Sequence, residues 1–345
     1  MSEKKSFNNR VFGLVIIKAI NSNFNADFTG QPRTLPDGRV YATDKALKYS
    51  VRHYLNQQYP QEKILYYKRL NKNTNPYSLA ELYDVVGLGK FDEDYKDKNK
   101  VLKNILSCLD VKLFGSTFAP KKKDNKVNLS VHGTVQINHG INQFYRDGQT
   151  VDEIYSEQIS APFRSDSEDK EAAQSTIGRQ SKLREGHYAY HFSINPQNLQ
   201  PLVDLVNEKD ISQATGLTVG DEVEKGDVDK LKEALRVGVT HFDSSSKAGS
   251  DNELLLWVQL KENNKRVLPS FSEMVRVTRQ NGKVVIDLTE LTKLLKQVEK
   301  DLDKEKTVMY YLPENTQLNG VPDFIQKKHI ITGAQIIEED KKSNE

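Results

Sequence analysis

Ten consecutive residues, Val11-Phe12-Gly13-Leu14-Val15-Ile16-Ile17-Lys18-Ala19-Ile20, constrain this chain more than any other feature of its sequence. The run is rich in β-branched residues and bounded by polar stretches, which predicts a buried central strand. It falls far short of the roughly 20 apolar residues that a membrane span needs, and it contains Lys18. Around it, 37% hydrophobic and 28% charged residues in a chain of 345 give enough apolar content for one sizeable core. That composition argues against wholesale disorder, and the length fits two domains or one with large insertions. The opening MSEKKSFNN has no signal-peptide character. One cysteine, Cys108, allows neither an intrachain disulfide nor a Cys-rich zinc site. The expectation is a soluble, cytoplasmic protein of a reducing compartment.

After the first strand, Asn21 to Arg39 is polar and rich in Asn, Gly and Pro, too long for a tight turn and of a length often reserved for function. A helix follows from Thr43 or Asp44, either able to cap it, to about Gln58, with Leu47, Val51, Tyr54 and Leu55 at helical spacing. Ile64 to Leu70 reads as a strand, and Leu79 to Val86 and Lys98 to Leu109 as helices of an insertion. Lys121 to Lys126 is a charged hinge or loop. Val127 to Ile137 alternates apolar and polar residues, as a half-buried strand does. Tyr155 to Glu185 reads as a protrusion or mobile loop, and His187 to Ile194 alternates again, with Tyr188, Tyr190, Phe192 and Ile194 on one face. Further on, helices are expected over Asp229 to Val239 and Thr289 to Leu302. Strands are expected over Leu254 to Leu260, Lys283 to Asp287 and Thr307 to Leu312, and the tail from Glu338 is expected to be disordered. The order is that of an α+β protein, compatible with a ferredoxin-like or RNA-recognition-motif-like sheet carrying insertions.

Catalytic signals are poor. Gly87-Leu88-Gly89-Lys90 lacks the third glycine of a dinucleotide loop and the spacing of a P-loop, and its ordinary reading is a helix C-terminal turn. His187 and His191 have the spacing of a helical metal pair, but on a strand they stand roughly 13 Å apart, too far for one ion. Cys108 lies in an apolar helical run, where a buried inert thiol is the default. No catalytic residue, metal site or cofactor is expected.

Charge is more informative. The 50 Lys and Arg against 48 Asp and Glu leave a net charge of +2, so any polyanion site must arise from local clustering. Between Gln31 and Lys72 nine positives (Arg33, Arg39, Lys45, Lys48, Arg52, Lys63, Lys68, Arg69, Lys72) face three negatives (Asp37, Asp44, Glu62). Lys45, Lys48 and Arg52 share one helix stripe, away from the Leu47/Val51/Leu55 face. A solvated basic face is the bland reading of such a stripe. The alternative is that the stripe and the Arg33/Arg39 loop together line a groove tracking a phosphate backbone. No RNP1-type run is present, so a base-stacking sheet surface is not indicated.

Three blocks then bear a family resemblance. Asn23-Phe24-Asn25-Ala26-Asp27, Gly30-Gln31-Pro32-Arg33-Thr34 and Thr43-Asp44-Lys45-Ala46-Leu47-Lys48 with Val51-Arg52 form the first. Asp110-Val111-Lys112-Leu113-Phe114-Gly115 is the second, and Val131-His132-Gly133-Thr134-Val135-Gln136 the third. In this order they resemble the backbone subunits of type I CRISPR surveillance complexes (Cascade), of the RAMP superfamily, closest to the I-B-like group. His187-Tyr188-Ala189-Tyr190 matches a later strand of that family loosely, and Thr134 stands where relatives often have proline.

The resemblance implies a hand-like molecule. A palm would begin over 8–72, helical fingers occupy 73–107, palm strands 108–145, a β-hairpin thumb 146–186, and the palm and C-terminal elements 187–337. It implies RNA contacts at Asn23, Asn25, Arg33, Arg39, Lys45, Lys48, Arg52, Gln143 and Arg146, with Tyr49 in place of a second basic residue. It implies an apolar wedge on the thumb, for which Ile159, Phe163, Leu183 and Tyr188 are candidates. The partners implied are CRISPR guide RNA, target DNA paired to it, and further copies in a helical filament. The repeat-handle capping, large and small subunits of the complex join them. Two alternatives stay open: a type III-like subunit cleaving target RNA through Asp27, and a generic RNA-binding module. Sequence-tolerant binding fits the local charge, since phosphate contacts carry no base information. The segment 149–185, with five positive and eight negative residues, is no phosphate clamp and should work by shape and apolar contacts.

Overall fold

The computed structural model describes residues 5–121, 127–160, 177–208, 215–220 and 224–336. The Val11–Ile20 run lies within strand β1 (Val11–Ser22), the centre of a nine-stranded sheet. Its antiparallel neighbours are β5 (Ile177–Ile194) on one side and β6 (Ser250–Gln259) on the other. Beyond β6 lie β7 (Val308–Tyr311) and, parallel to it, β8 (Gln326–His329). Beyond β5 lie β2 (Val135–Ile137) and β3 (Gly140–Asn142), and β3 pairs with the short strand Tyr41–Ala42. The arm strand β4 (Ile154–Ser160) pairs with the first residues of β5.

Both sheet faces are covered, which is why β1 reads as a continuous apolar run instead of an alternating one. Val11, Val15, Ile17 and Ala19 share a core with Tyr188, Tyr190, Phe192 and Ile194 of β5 and with helices α1 (Asp44–Gln58) and α7 (Asp227–Val237). Phe12, Leu14 and Ile16 face the opposite core, under Phe271, Val277 and Ile286 and under α8 (Thr289–Gln297). A third core forms around Tyr83, Phe91 and Ile105. It is built by α2 (Leu79–Val85), α3 (Phe91–Asp94) and α4 (Lys98–Leu106), followed by α5 (Leu109–Phe114), and completed by Leu199, Val203 and Val206 at α6 (Gln200–Asn207).

Where expectation and structure part, the cause is tertiary. Ile64 to Leu70 forms no strand, because the Leu65 and Tyr66 amides donate to the Asp110 carboxylate at 2.8 and 2.9 Å instead of to a neighbouring strand. Val127 to Ile137 is two strands, Leu129–Val131 and β2, which belong to different sheets. The break is at Gly133, which packs against Gly115 so closely that a Cβ on either would meet backbone atoms of the other at 2.2–2.7 Å. Gly115 also carries the positive φ (78°) that ends α5. The helix expected over Thr289 to Leu302 stops at Gln297 and resumes as a 3-10 turn, Glu299–Asp301. The 122–126 part of the charged hinge and the tail lie outside the described residues.

One irregularity shapes the far side of the sheet. The β1–β6 register shifts by one residue between Asn252 and Leu254, which turns Glu253 inward onto the fully buried His187. His187 also meets Glu185 at 3.1 Å, and Glu185 takes Arg279 at 2.7 Å. Burial alone would lower the imidazole pKa, but Glu253 and Glu185 together outweigh it and hold the pKa above its ordinary value. Between the unfolded value, about 6.5, and that raised value the folded state holds the extra proton. The stabilisation is therefore complete below about pH 6.5 and is lost as pH rises through the folded pKa. Thermal unfolding of wild type and His187→Gln should show their stability difference shrinking above neutrality; a difference constant from pH 6 to 9 would contradict this.

Candidate nucleic-acid interface

The loop from Asn23 to Arg39 is held by its own polar side chains. Asn23, nearly buried, donates to the carbonyls of Gly30 and Ser181, and the Oδ1 of Asn25 accepts from the amide and hydroxyl of Thr43 at 2.9 Å each. Thr43 in turn caps α1, so loop and helix start form one unit. At the loop tip the Oδ1 of Asp27 accepts from the Thr29 amide (2.8 Å), the Thr29 hydroxyl (2.7 Å) and the Gln31 amide (3.0 Å). Those bonds, led by the Thr29 hydroxyl, hold its carboxyl below the ordinary range.

Helix α1 buries Leu47, Val51, Tyr54 and Leu55 and turns Lys45, Lys48, Tyr49, Arg52 and His53 outward. Lys45 is exposed and, among the described residues, makes no ion pair. Lys48 pairs with Asp44 at 2.8 Å. Arg52 binds Asp110 at 3.0 Å, and that carboxylate is wholly buried. Phe114 lies beneath both cations, 5.7 Å from the Lys48 nitrogen and 5.1 Å from the Arg52 guanidinium. On the other flank Tyr49 approaches Tyr67 and Phe242, and His53 approaches the same two rings. The basic stripe thus runs between two aromatic banks. Past Phe114 opens a crevice of about 300 Å³, lined by Gly115 to Thr117, Ser130 to Gly133 and Gln136. Two of the three sequence blocks meet in it.

The remaining candidates separate. Arg39 pairs with Asp37 (2.9 Å) and Arg146 with Glu153 (3.1 Å), both at the surface. Gln143 is buried, its Oε1 accepting from the Tyr145 hydroxyl. Of the wedge candidates, Leu183 and Tyr188 sit in the core of the nine-stranded sheet at 0% and 1% exposure, so neither can insert between bases; this corrects that expectation. Their sequence neighbourhood looked like the return of the arm, but β5 has by then joined β1, with Leu183 paired to Ser22. Ile159 is exposed on the β4–β5 hairpin, and Phe163 lies outside the described residues. The aromatic banks and Asp110 were not foreseen as parts of the site. The D-x-x-L-F-G block held Asp110 in view, but its partner Arg52 is 58 residues away.

The family model for CRISPR-associated protein Cas7 matches residues 9–299. The chain belongs to the Cas7 family. None of the curated protein sequences matches it. Among solved structures, a chain of a CRISPR RNA-guided surveillance complex in a pre-nicking state is similar at a TM-score of 0.51 and 12% identity, covering 93% of this chain and 96% of that one. Another chain, from a CRISPR RNA-guided surveillance complex, gives a TM-score of 0.44 at 14% identity, with 88% and 91% covered. At such identity the first likeness speaks for the fold, here the mixed α+β architecture, and the Cas7 assignment rests on the family match. Among the described residues no helix is long and apolar enough to cross a membrane.

The two ends of the stripe should respond differently to substitution. Arg52→Ala leaves the buried Asp110 charge without its cation and should cost about 3–5 kcal/mol of stability, read by denaturant unfolding. Lys45→Ala should leave stability within about 0.5 kcal/mol and lower the slope of RNA affinity against salt by about one. Equal stability of the two variants would refute the division.

Proposed function

We propose that this Cas7-family chain is a backbone subunit that polymerises along CRISPR guide RNA. It holds the phosphate backbone on the outer face of α1 and leaves the bases free to pair with target DNA. The carrying observation is the Lys45/Lys48/Arg52 stripe, flanked by rings and continuous with the Arg33 loop and the glycine-lined crevice. Cations between aromatic banks suit a strand gripped by phosphate and stacking whatever its sequence. The solved structure similar at a TM-score of 0.51 belongs to an RNA-guided surveillance complex, which fits the same role.

In this reading the palm is an RNA-recognition-like unit. The strand order β6–β1–β5–β2/β3 with connections β-α-β-β-α-β, and α1 and α7 on one face, supports it. The thumb is the β4–β5 hairpin, which leaves the sheet at Leu183 and is exposed at each residue from Ser156 to Ile159. A neighbouring copy, rather than the subunit's own palm, is the surface such an arm can reach, which gives the filament its contact. Capping, large and small subunits would complete the complex. We read the chain as non-catalytic, with Asp27 in a structural role: its Oδ1 accepts the three hydrogen bonds that shape the loop.

RNA extracted from the protein, expressed with and without a CRISPR array, tests this reading. Uniform short RNAs sharing a repeat-derived end are expected with the array and none without it. Mixed cellular RNA in both cases would favour a generic RNA-binding module. Regularly spaced cuts in complementary RNA with Mg²⁺ or Mn²⁺ would favour the cleaving alternative.

A further inference from the structure

At the tip of the β1–α1 loop stands Phe28, its side chain fully exposed to solvent. Among the described residues no other large apolar side chain is so open; the next, Val267, is 66% exposed. An isolated phenyl ring on a floppy loop would mean little, since scattered surface apolar residues are ordinary. This loop is not floppy. Asp27 closes the turn with its three hydrogen bonds, the Asp27 amide donates to the Gln31 carbonyl at 2.7 Å, and Gly30 supplies the left-handed φ of 84° that the turn requires. Ala26 and Pro32 bridge across its neck. The ring is therefore held out in a defined place, and most of the ordering cost of binding there is already met by the fold.

Beside the ring lies a cation. The Arg33 guanidinium sits 5.9 Å from the Phe28 ring centroid. Its Nε is buried without a hydrogen-bond partner, and among the described residues Arg33 makes no ion pair. Around the pair stand the exposed Thr29, Gly30 and Thr34 and the partly exposed Asp27 carboxylate, which feels the Arg33 charge, so the ring lacks the apolar collar that surrounds a protein-docking hot spot. What suits a single flat apolar face next to a cation that makes no direct ion pair is a nucleobase with its phosphate. The position agrees, because Asn25 ties this loop to the cap of α1, immediately before Lys45.

We propose that Phe28 and Arg33 form a stacking site for one unpaired nucleobase of the bound RNA, the phenyl ring taking the base and the guanidinium an adjacent phosphate. The site rests on the guide-scaffold reading and adds to it a point at which one base per subunit is held by its face. Every base has a π-face, so occupancy is independent of base identity.

Photocrosslinking tests it. The full-length protein is bound to a set of otherwise identical guide-length RNAs, each carrying 5-iodouridine at one position, then irradiated and peptide-mapped. Wild type should crosslink through Phe28 at a restricted subset of positions. Phe28→Ala should lose that crosslink and bind RNA about five-fold or more weakly, while Phe28→Tyr keeps both. Wild-type RNA binding with no Phe28 crosslink, and with Phe28→Ala of unchanged affinity, would overturn the stacking site and leave the scaffold reading standing. Failure of wild type to bind any of the RNAs would overturn both. A Phe28→Ala protein that keeps its RNA affinity but loses self-association in RNA-free sedimentation would assign the ring to a second copy of the chain instead.

Discussion

A single buried carboxylate ties together the parts of this molecule that sequence keeps apart. Asp110, at the start of α5 and wholly excluded from solvent, accepts from the Leu65 and Tyr66 amides and from the Arg52 side chain. Each of those donors would otherwise be an unmet polar group inside the protein, and the charge itself would be untenable without them. The consequence reaches outward. Arg52, bound to Asp110, holds its guanidinium 5.1 Å from the Phe114 ring centroid, and the helix that carries the basic stripe is tied to α5. Next to it the Gly115–Gly133 contact brings two backbone segments closer than any side chain allows. The fold of the insertion and the shape of the surface beside α1 thus share one determinant.

What could be seen in the sequence, and what could not, divides along the same line. The Val11–Ile20 run, α1 with its Thr43 cap, and the apolar face of Tyr188, Tyr190, Phe192 and Ile194 are local patterns, and each appears in the structure as read. Ile64 to Leu70 looked like a strand because its composition is strand-like, yet its amides answer to a residue 45 positions later. The Glu253 bulge, the second aromatic bank around Phe242 and the pairing of Lys283–Asp287 with Thr316–Asn319 also depend on partners far along the chain. In the loop, Arg33 was visible by its charge, whereas the exposure of Phe28 was not, since an Asn-rich turn does not say which ring it buries. Phe24 is enclosed and Phe28 is open, four residues apart.

In the proposed reading the sheet is RNA-recognition-like, and such a sheet ordinarily offers its open face, opposite the helices, to bases. Here that face is packed under Phe271, Val277, Ile286 and α8, so it is closed to any ligand. The absence of an RNP1 pattern and the placement of cations on α1 are therefore two aspects of one arrangement: with the sheet covered, the helix side is the surface left for a polyanion.

Strand β5 has a consequence for how such chains can change over time. Its pairing with β4 and then with β1 runs in constant register from Ile177 to Ile194, with no bulge to absorb an extra residue. Inserting or deleting one residue within it would turn Tyr188, Tyr190 and Phe192 to the opposite face and expel His187 from among its carboxylates. The arm's reach can therefore be lengthened or shortened only beyond its paired strands. Differences in length among relatives should gather there, while the stretch from Ile177 onward keeps its residue count.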